Sequence, residues 1–98
     1  MSYELEFMPK ALKEWQKLDS NTKEQFKKKL AQRLENPKVP KDKLRDFDNV
    51  YKIKLKSLGY RLAYEVIDER LVVLVLVVGK RENNAVYDEL AKRFGKSD

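Results

Sequence analysis

Two periodicities divide this chain. Tyr3-Glu4-Leu5-Glu6-Phe7 alternates with period two and predicts a short first strand. From Pro9 onward Ala11, Leu12, Trp15 and Leu18 recur at helical spacing, which predicts a helix over Pro9 to Leu18. Pro9 suits its first turn, where a missing N–H costs nothing. Trp15 lies within the apolar stripe and reads as core. Asp19-Ser20-Asn21-Thr22 offers N-cap side chains for a second helix. Phe26, Leu30 and Leu34 form its buried seam, and Asn36-Pro37 stops it after Glu35. The short link predicts an N-terminal antiparallel helical hairpin. Lys23, Lys27, Lys28 and Gln32 fall on the polar face of the second helix, as ordinary solvated surface or as a nucleic-acid contact.

From Asn36 to Asn49 no period is visible, and this is the one long loop, with Leu44 and Phe47 as its apolar anchors. Period two returns at Val50. Tyr51, Ile53 and Leu55 share one face of a strand, and Lys52, Lys54 and Lys56 share the other. After a turn at Ser57-Leu58-Gly59, Tyr60, Leu62, Tyr64 and Val66 continue the apolar face, while Arg61, Ala63 and Glu65 continue the other. A two-residue loop at Ser57-Leu58 sets Lys54 opposite Arg61, and a wider closure needs Gly59 at positive φ. Like charges facing each other cost up to about 1 kcal/mol, so hairpin stability does not explain these cations. Asp68-Glu69-Arg70 makes the next turn. Leu71 to Val78 then runs without a polar residue, so it predicts a strand covered on both faces and ending at Gly79. Asn83 or Asn84 can cap a last helix over Ala85 to Phe94, stopped by Gly95, with Val86, Leu90 and Phe94 inward and Tyr87 at the edge of that stripe. The predicted class is α+β: a small antiparallel meander with an N-terminal helical hairpin and a C-terminal helix, in the order β-α-α-β-β-β-α.

Length narrows this to one domain spanning residues 1–98. Charge changes the picture more. Lys and Arg number 22 against 16 Asp and Glu, a net charge of +6, which points to an anionic partner or to a solvated basic surface. There is no cysteine, which excludes disulfides and thiolate chemistry and suits a reducing cytoplasm. There is no histidine either, so the commonest general base and metal ligand is missing, and neither a metal site nor a cofactor is expected. The N-terminal residues lack the layout of a signal peptide, and the longest apolar run is too short to span a bilayer, so no membrane is expected.

The candidate chemistry sits on the hairpin. Lys52, Lys54 and Arg61 line a cationic face, Arg81 leaves the end of the neighbouring strand, and Tyr87 follows on the last helix. Phosphates on the cations and a base on the ring is how proteins hold single-stranded nucleic acid. The plainer alternative is a basic sheet face beside a tyrosine that only packs. RNA carries its own nucleophile, the 2′-hydroxyl. Without histidine the base must be unusual, and Lys54, crowded by Lys52, Lys56 and Arg61, is expected to have a lowered pKa. Lys52 helps hold the phosphate, Arg61 clamps the scissile phosphate, and Tyr87 stacks on a base to bring the RNA toward in-line geometry. Lys56 adds electrostatic support.

Five segments also carry a resemblance: Ala11-Leu12-Lys13-Glu14-Trp15, Lys43-Leu44-Arg45, Tyr51-Lys52-Ile53-Lys54-Leu55, Gly59-Tyr60-Arg61-Leu62, and Gly79-Lys80-Arg81-Glu82 with Tyr87. In this order and spacing the chain resembles the RelE toxins of bacterial toxin–antitoxin systems, almost end to end. The resemblance implies a cytoplasmic, metal-independent, ribosome-dependent endoribonuclease that cuts messenger RNA in the decoding A site and stops translation. It implies a RelB-like antitoxin as partner, contact with ribosomal RNA, and operator DNA bound through the toxin–antitoxin complex. It implies Lys52, Lys54, Arg61, Arg81 and Tyr87 as the active-site set, with Arg45 as a further basic position; Lys56 and Lys80, beside these cations, are expected to bind RNA with Arg45. It also implies Arg81 as general acid, although a guanidinium parts with a proton so reluctantly that a clamp on the leaving group is the easier role. Two other readings remain: a ParE-like inhibitor of DNA gyrase, and a nucleic-acid-binding module without catalysis.

Overall fold

The structure is a computed structural model that describes residues 2–80 and 85–93. Four strands form one sheet in the order β1-β4-β3-β2, where β1 is Glu4–Phe7, β2 Val50–Leu55, β3 Tyr60–Ile67 and β4 Val72–Lys80. Strands β2, β3 and β4 make the expected antiparallel meander. Strand β1 joins the other side of β4 in parallel, so the sheet is mixed. A parallel partner needs a crossover, and both N-terminal helices lie within it: α1 is Pro9–Gln16 and α2 is Ser20–Glu35. The last helix, α3, is Ala85–Arg93.

The helices divide the sheet faces. On one face Phe26 and Leu30 of α2 and Ala11 of α1 bury Tyr51, Ile53, Leu55, Leu62, Tyr64 and Val66. Trp15 packs there between Phe7 and Phe26, with ring centroids 5.3 and 6.1 Å away. On the other face Val86 and Leu90 of α3 cover Val50, Ala63, Leu76 and Val77. Strand β4 is therefore sandwiched, as its unbroken apolar run requires. Asp19 caps α2, its Oδ1 accepting the Thr22 amide at 3.0 Å.

Helix α1 ends at Gln16, before the expected Leu18, and three further details differ from expectation. Leu12 is 41% exposed, because Ala11 and Trp15 already fill the inward stripe of α1 and Leu12 is turned away from it. Leu71 takes φ 54° and ends the turn, so β4 starts at Val72. The strand also runs past Gly79 to Lys80, since Arg61 pairs with Gly79 and Tyr60 with Lys80. The ladder between β3 and β4 slips between Ala63 and Tyr64: Tyr64 pairs with Val75 and Ala63 with Val77. Leu76 is the extra residue of this bulge, which turns both Leu76 and Val77 toward α3. The proposed cap residues Asn83 and Asn84, together with Phe94 and Gly95, lie outside the described residues.

A cationic candidate active site on the hairpin

The hairpin register is the one the charges made odd. Lys54 stands opposite Arg61, Lys52 opposite Ala63, and Leu55 opposite Tyr60. The chain closes over Lys56-Ser57-Leu58-Gly59, with the Gly59 amide donating to the Leu55 carbonyl at 2.8 Å. Gly59 has φ 72°, the left-handed conformation expected of the turn.

Tyr87 comes to this hairpin because α3 packs on the same sheet face. Its half-buried ring lies under the Arg61 guanidinium, whose Cζ is 5.0 Å from the ring centroid. That distance is within cation–π range and holds both groups in one place. The Arg61 Nε is buried and has no hydrogen-bond partner among the described residues. A buried guanidinium donor without a partner suits a site that receives an anion. Lys54 is held below its ordinary lysine range, first by the positive charge of Lys52, then by desolvation and by Arg61, with Lys56 adding to it. Like charge disfavours the ammonium form, so this lysine gives up its proton more readily than a free one.

The structure thus brings Lys52, Lys54, Arg61 and Tyr87 together, and Lys56 continues the lysine row into the turn. Arg45 is exposed on the turn before β2, at the opposite end of that strand from Lys54. Lys80 pairs with Tyr60 and so projects on the face opposite Arg61. Arg81 lies outside the described residues. Among the described residues no group of three or more acidic side chains could hold a metal ion.

One residue escaped the sequence reading. Arg33 on α2 donates through Nη1 to the Lys52 carbonyl at 3.1 Å and to the Tyr64 hydroxyl at 2.8 Å, and through Nη2 to Asp42 Oδ2 at 2.6 Å. Tyr64 in turn donates to the Pro37 carbonyl at 2.7 Å. Strand β2 is the sheet edge, and Arg33 caps one of its carbonyls while the Leu44 amide takes that of Val50 at 2.9 Å. The backbone carrying Lys52 is fixed from behind. The available signal was a cation beside the apolar seam, between Leu30 and Leu34, with a buried tyrosine elsewhere in need of a partner.

A sheet edged with lysines, an arginine seated on a tyrosine ring and a helix folded across the face define a small basic α+β scaffold suited to an anionic ligand. Comparison with known proteins makes this specific. The family model for the ParE toxin of type II toxin–antitoxin systems matches residues 5–85. The mRNA interferase toxin RelE of Escherichia coli K12 is 56% identical over 94 residues, covering 96% of this chain and 99% of that protein. The crystal structure of isolated E. coli RelE matches with a TM-score of 0.81 at 54% identity, covering 95% of this chain and 99% of that one. RelE in the intact E. coli RelBE toxin–antitoxin complex also matches with a TM-score of 0.81, at 55% identity, covering 84% of this chain and all of that one, 100%. The chain belongs to the RelE/ParE family of toxins from type II toxin–antitoxin systems.

Proposed function

We propose that this protein is a ribosome-dependent endoribonuclease that cuts messenger RNA in the decoding A site and so stops translation. The observation that carries the reading is the union of Lys52, Lys54, Arg61 and Tyr87 on one sheet face, with Lys54 held below its ordinary range. Similarity to a protein named as an mRNA interferase supports it.

The chemistry follows from the substrate. The 2′-oxygen attacks the adjacent phosphorus and the bond to the 5′-oxygen breaks, leaving a 2′,3′-cyclic phosphate and a free 5′-hydroxyl. Lys54 takes the proton of the 2′-hydroxyl. Lys52 and Arg61 offset the charge that builds on the phosphorane, worth several kcal/mol (about 3) when the donors are preorganised. Tyr87 stacks on a base and turns the backbone toward in-line geometry. Arg81 completes the site by resemblance, as the group that meets the departing 5′-oxygen. Lys56 supports the field, and Arg45 and Lys80, set apart from the row, serve as outlying RNA contacts. A site whose acid and base are both weak depends on a partner to hold the substrate in reactive shape. The ribosome, through messenger and ribosomal RNA, fills that role.

The partner that restrains it is a RelB-like antitoxin. The relative's crystal structure as an intact RelBE complex supports the antitoxin partner. Engagement of operator DNA through the pair rests on the family resemblance alone. The protein acts in the cytoplasm, where ribosomes are. Incubating purified protein with one message, free and on programmed ribosomes, tests the reading: cleavage only on ribosomes is expected, and equal cutting of both would sink the ribosome dependence. The family description favours one second reading, a ParE-like inhibitor of DNA gyrase. Blocked supercoiling with intact messages would establish it.

A further inference from the structure

The lysine row does not end at the candidate active site. On the open side of β2 a groove of about 660 Å³ runs between the strand and α2. A second groove of about 390 Å³ shares Lys29, Lys54 and Lys56 with it and carries the channel on to the hairpin turn. The two walls differ in chemistry. One is the edge strand with Lys52 and Lys54, continued by Lys56 at the turn, with Lys41 from the loop beside it. The other is a stripe of α2, Gln25, Lys29 and Gln32 at i, i+4, i+7 spacing, continued by Asn36 just past the helix end, all exposed. Val39 and Ile53 provide apolar lining. Among the described residues the one carboxylate on the larger groove belongs to Asp42, and it is engaged by Arg33 at 2.6 Å, so it does not oppose the lysines.

A cationic wall facing a wall of amides is the division of labour that single-stranded RNA requires. Ammonium groups neutralise phosphates without regard to sequence, whereas amide side chains both donate and accept and so read the edges of unpaired bases. A duplex keeps those edges paired within its helix. We propose that the groove between β2 and α2 is a binding tract for single-stranded RNA, continuous with the cleavage site through Lys52 and Lys54, in which Lys29 and Lys41 hold phosphates and Gln25, Gln32 and Asn36 contact bases. The tract extends the RNA-cleavage reading and rests on it for the continuity of the bound strand. It assigns to α2 a role in recognition that its amphipathic pattern alone does not show.

The test reads binding without cleavage. A fluorescent, 2′-O-methylated single-stranded oligonucleotide, which cannot be cut by 2′-oxygen attack, is titrated with the full chain at several salt concentrations. Lys29→Gln and Lys41→Gln should each flatten the slope of log K against log salt by ~0.7, the value for one phosphate contact on a single strand. Lys17→Gln, exposed on the link between α1 and α2, should leave it unchanged. Gln32→Ala should keep the slope and lose discrimination among homopolymers. Unchanged slopes for both lysine variants, or no binding by the wild-type chain at low salt, would overturn the tract whether or not the protein cleaves messages. A photo-crosslinker at position 32 on programmed ribosomes distinguishes the source of RNA. Crosslinks to message or to ribosomal RNA support the tract and name its strand, and crosslinks to ribosomal protein alone overturn it. Failure of cleavage with intact salt effects would instead strike only at the nuclease reading.

Discussion

Arg93 and Glu14, 79 positions apart, close a fork over the backbone of β4. Arg93 Nη2 donates to Glu14 Oε2 at 2.8 Å and its Nη1 to Glu14 Oε1 at 3.3 Å. The same Nη1 donates to the Leu76 carbonyl, the extra residue of the bulge, and Glu14 Oε1 accepts the Val78 amide at 3.0 Å. Strand β1 pairs only as far as Val75, so beyond it this side of β4 has no neighbouring strand among the described residues. The ion pair stands in for the missing strand and pins the end of α3 to α1 and the sheet.

Breaking this fork should therefore loosen the helix that carries Tyr87. The Arg93 side chain is only 10% exposed and that of Glu14 31%, so removing either partner leaves a poorly solvated charge. We expect Arg93→Gln to cost about 2 kcal/mol, below the range for fully buried pairs because Glu14 keeps some water. Urea denaturation measures that loss. Hydrogen exchange in α3 should accelerate more than in β3, and ribosome-dependent cleavage should fall about tenfold. Unchanged exchange in α3 would mean that Val86 and Leu90 alone hold the helix.

The lowered pKa of Lys54 sets a pH dependence with a definite sign. Its folded value lies below the ordinary 10.5, because Lys52 and Arg61 repel its proton. Between the folded and unfolded values the unfolded chain binds more protons, so folding stability rises with pH through that window. Below it both states are charged, and the native repulsion is felt in full. Cleavage in single turnover should likewise rise with pH as Lys54 loses its proton. Lys52→Gln removes the largest repulsion and should move that limb to higher pH. A limb that stays in place, or an unaltered profile in Lys54→Ala, would assign the base elsewhere. Competitive acetylation of Lys54 followed by mass spectrometry gives the same titration without turnover.

Much of this arrangement was legible from residue order. Alternation from Val50 to Leu55 placed Lys52 and Lys54 on one face, and a turn centred on Ser57-Leu58 put Lys54 opposite Arg61, as found. The unbroken run in β4 placed it between two layers of helix. What stayed hidden depends on contacts between distant positions. The parallel pairing of β1 with β4 leaves no local trace, since a short alternating strand reads alike in either direction. The bulge at Leu76 is invisible in a run where every residue is apolar. Arg33 and Arg93 look like surface cations on amphipathic helices. Their worth lies in carbonyls that only the folded sheet presents.

Stacking of Tyr87 can be separated from any role of its hydroxyl. The ring is what meets Arg61, and Phe keeps that ring. Tyr87→Phe should therefore retain most of the cleavage rate. Tyr87→Ala should lose about 1–3 kcal/mol of base stacking, which is roughly a 5- to 150-fold drop in rate on programmed ribosomes. A Phe variant as poor as Ala would assign the function to the hydroxyl.

Tyr64 tests how firmly the site is held from behind. Its hydroxyl is buried, accepts from Arg33 at 2.8 Å and donates to the Pro37 carbonyl at 2.7 Å. Burial pushes its pKa up, with Arg33 partly opposing, so it stays a neutral donor at physiological pH. Its ring stacks on Tyr51 at 5.9 Å, a contact Phe would keep. Tyr64→Phe would strand the Pro37 carbonyl and take one acceptor from Arg33, at a cost of about 1–3 kcal/mol. Thermal unfolding should show it. Arg33 would keep Asp42 and the Lys52 carbonyl, so β2 should hold its register and cleavage should fall by less than threefold, as expected of a change in stability alone. Arg33→Ala, in contrast, frees the Lys52 carbonyl itself and should lower the rate well beyond its effect on stability. Equal rate losses in the two variants at a temperature where both are folded would show that Arg33 serves the fold and not the position of Lys52.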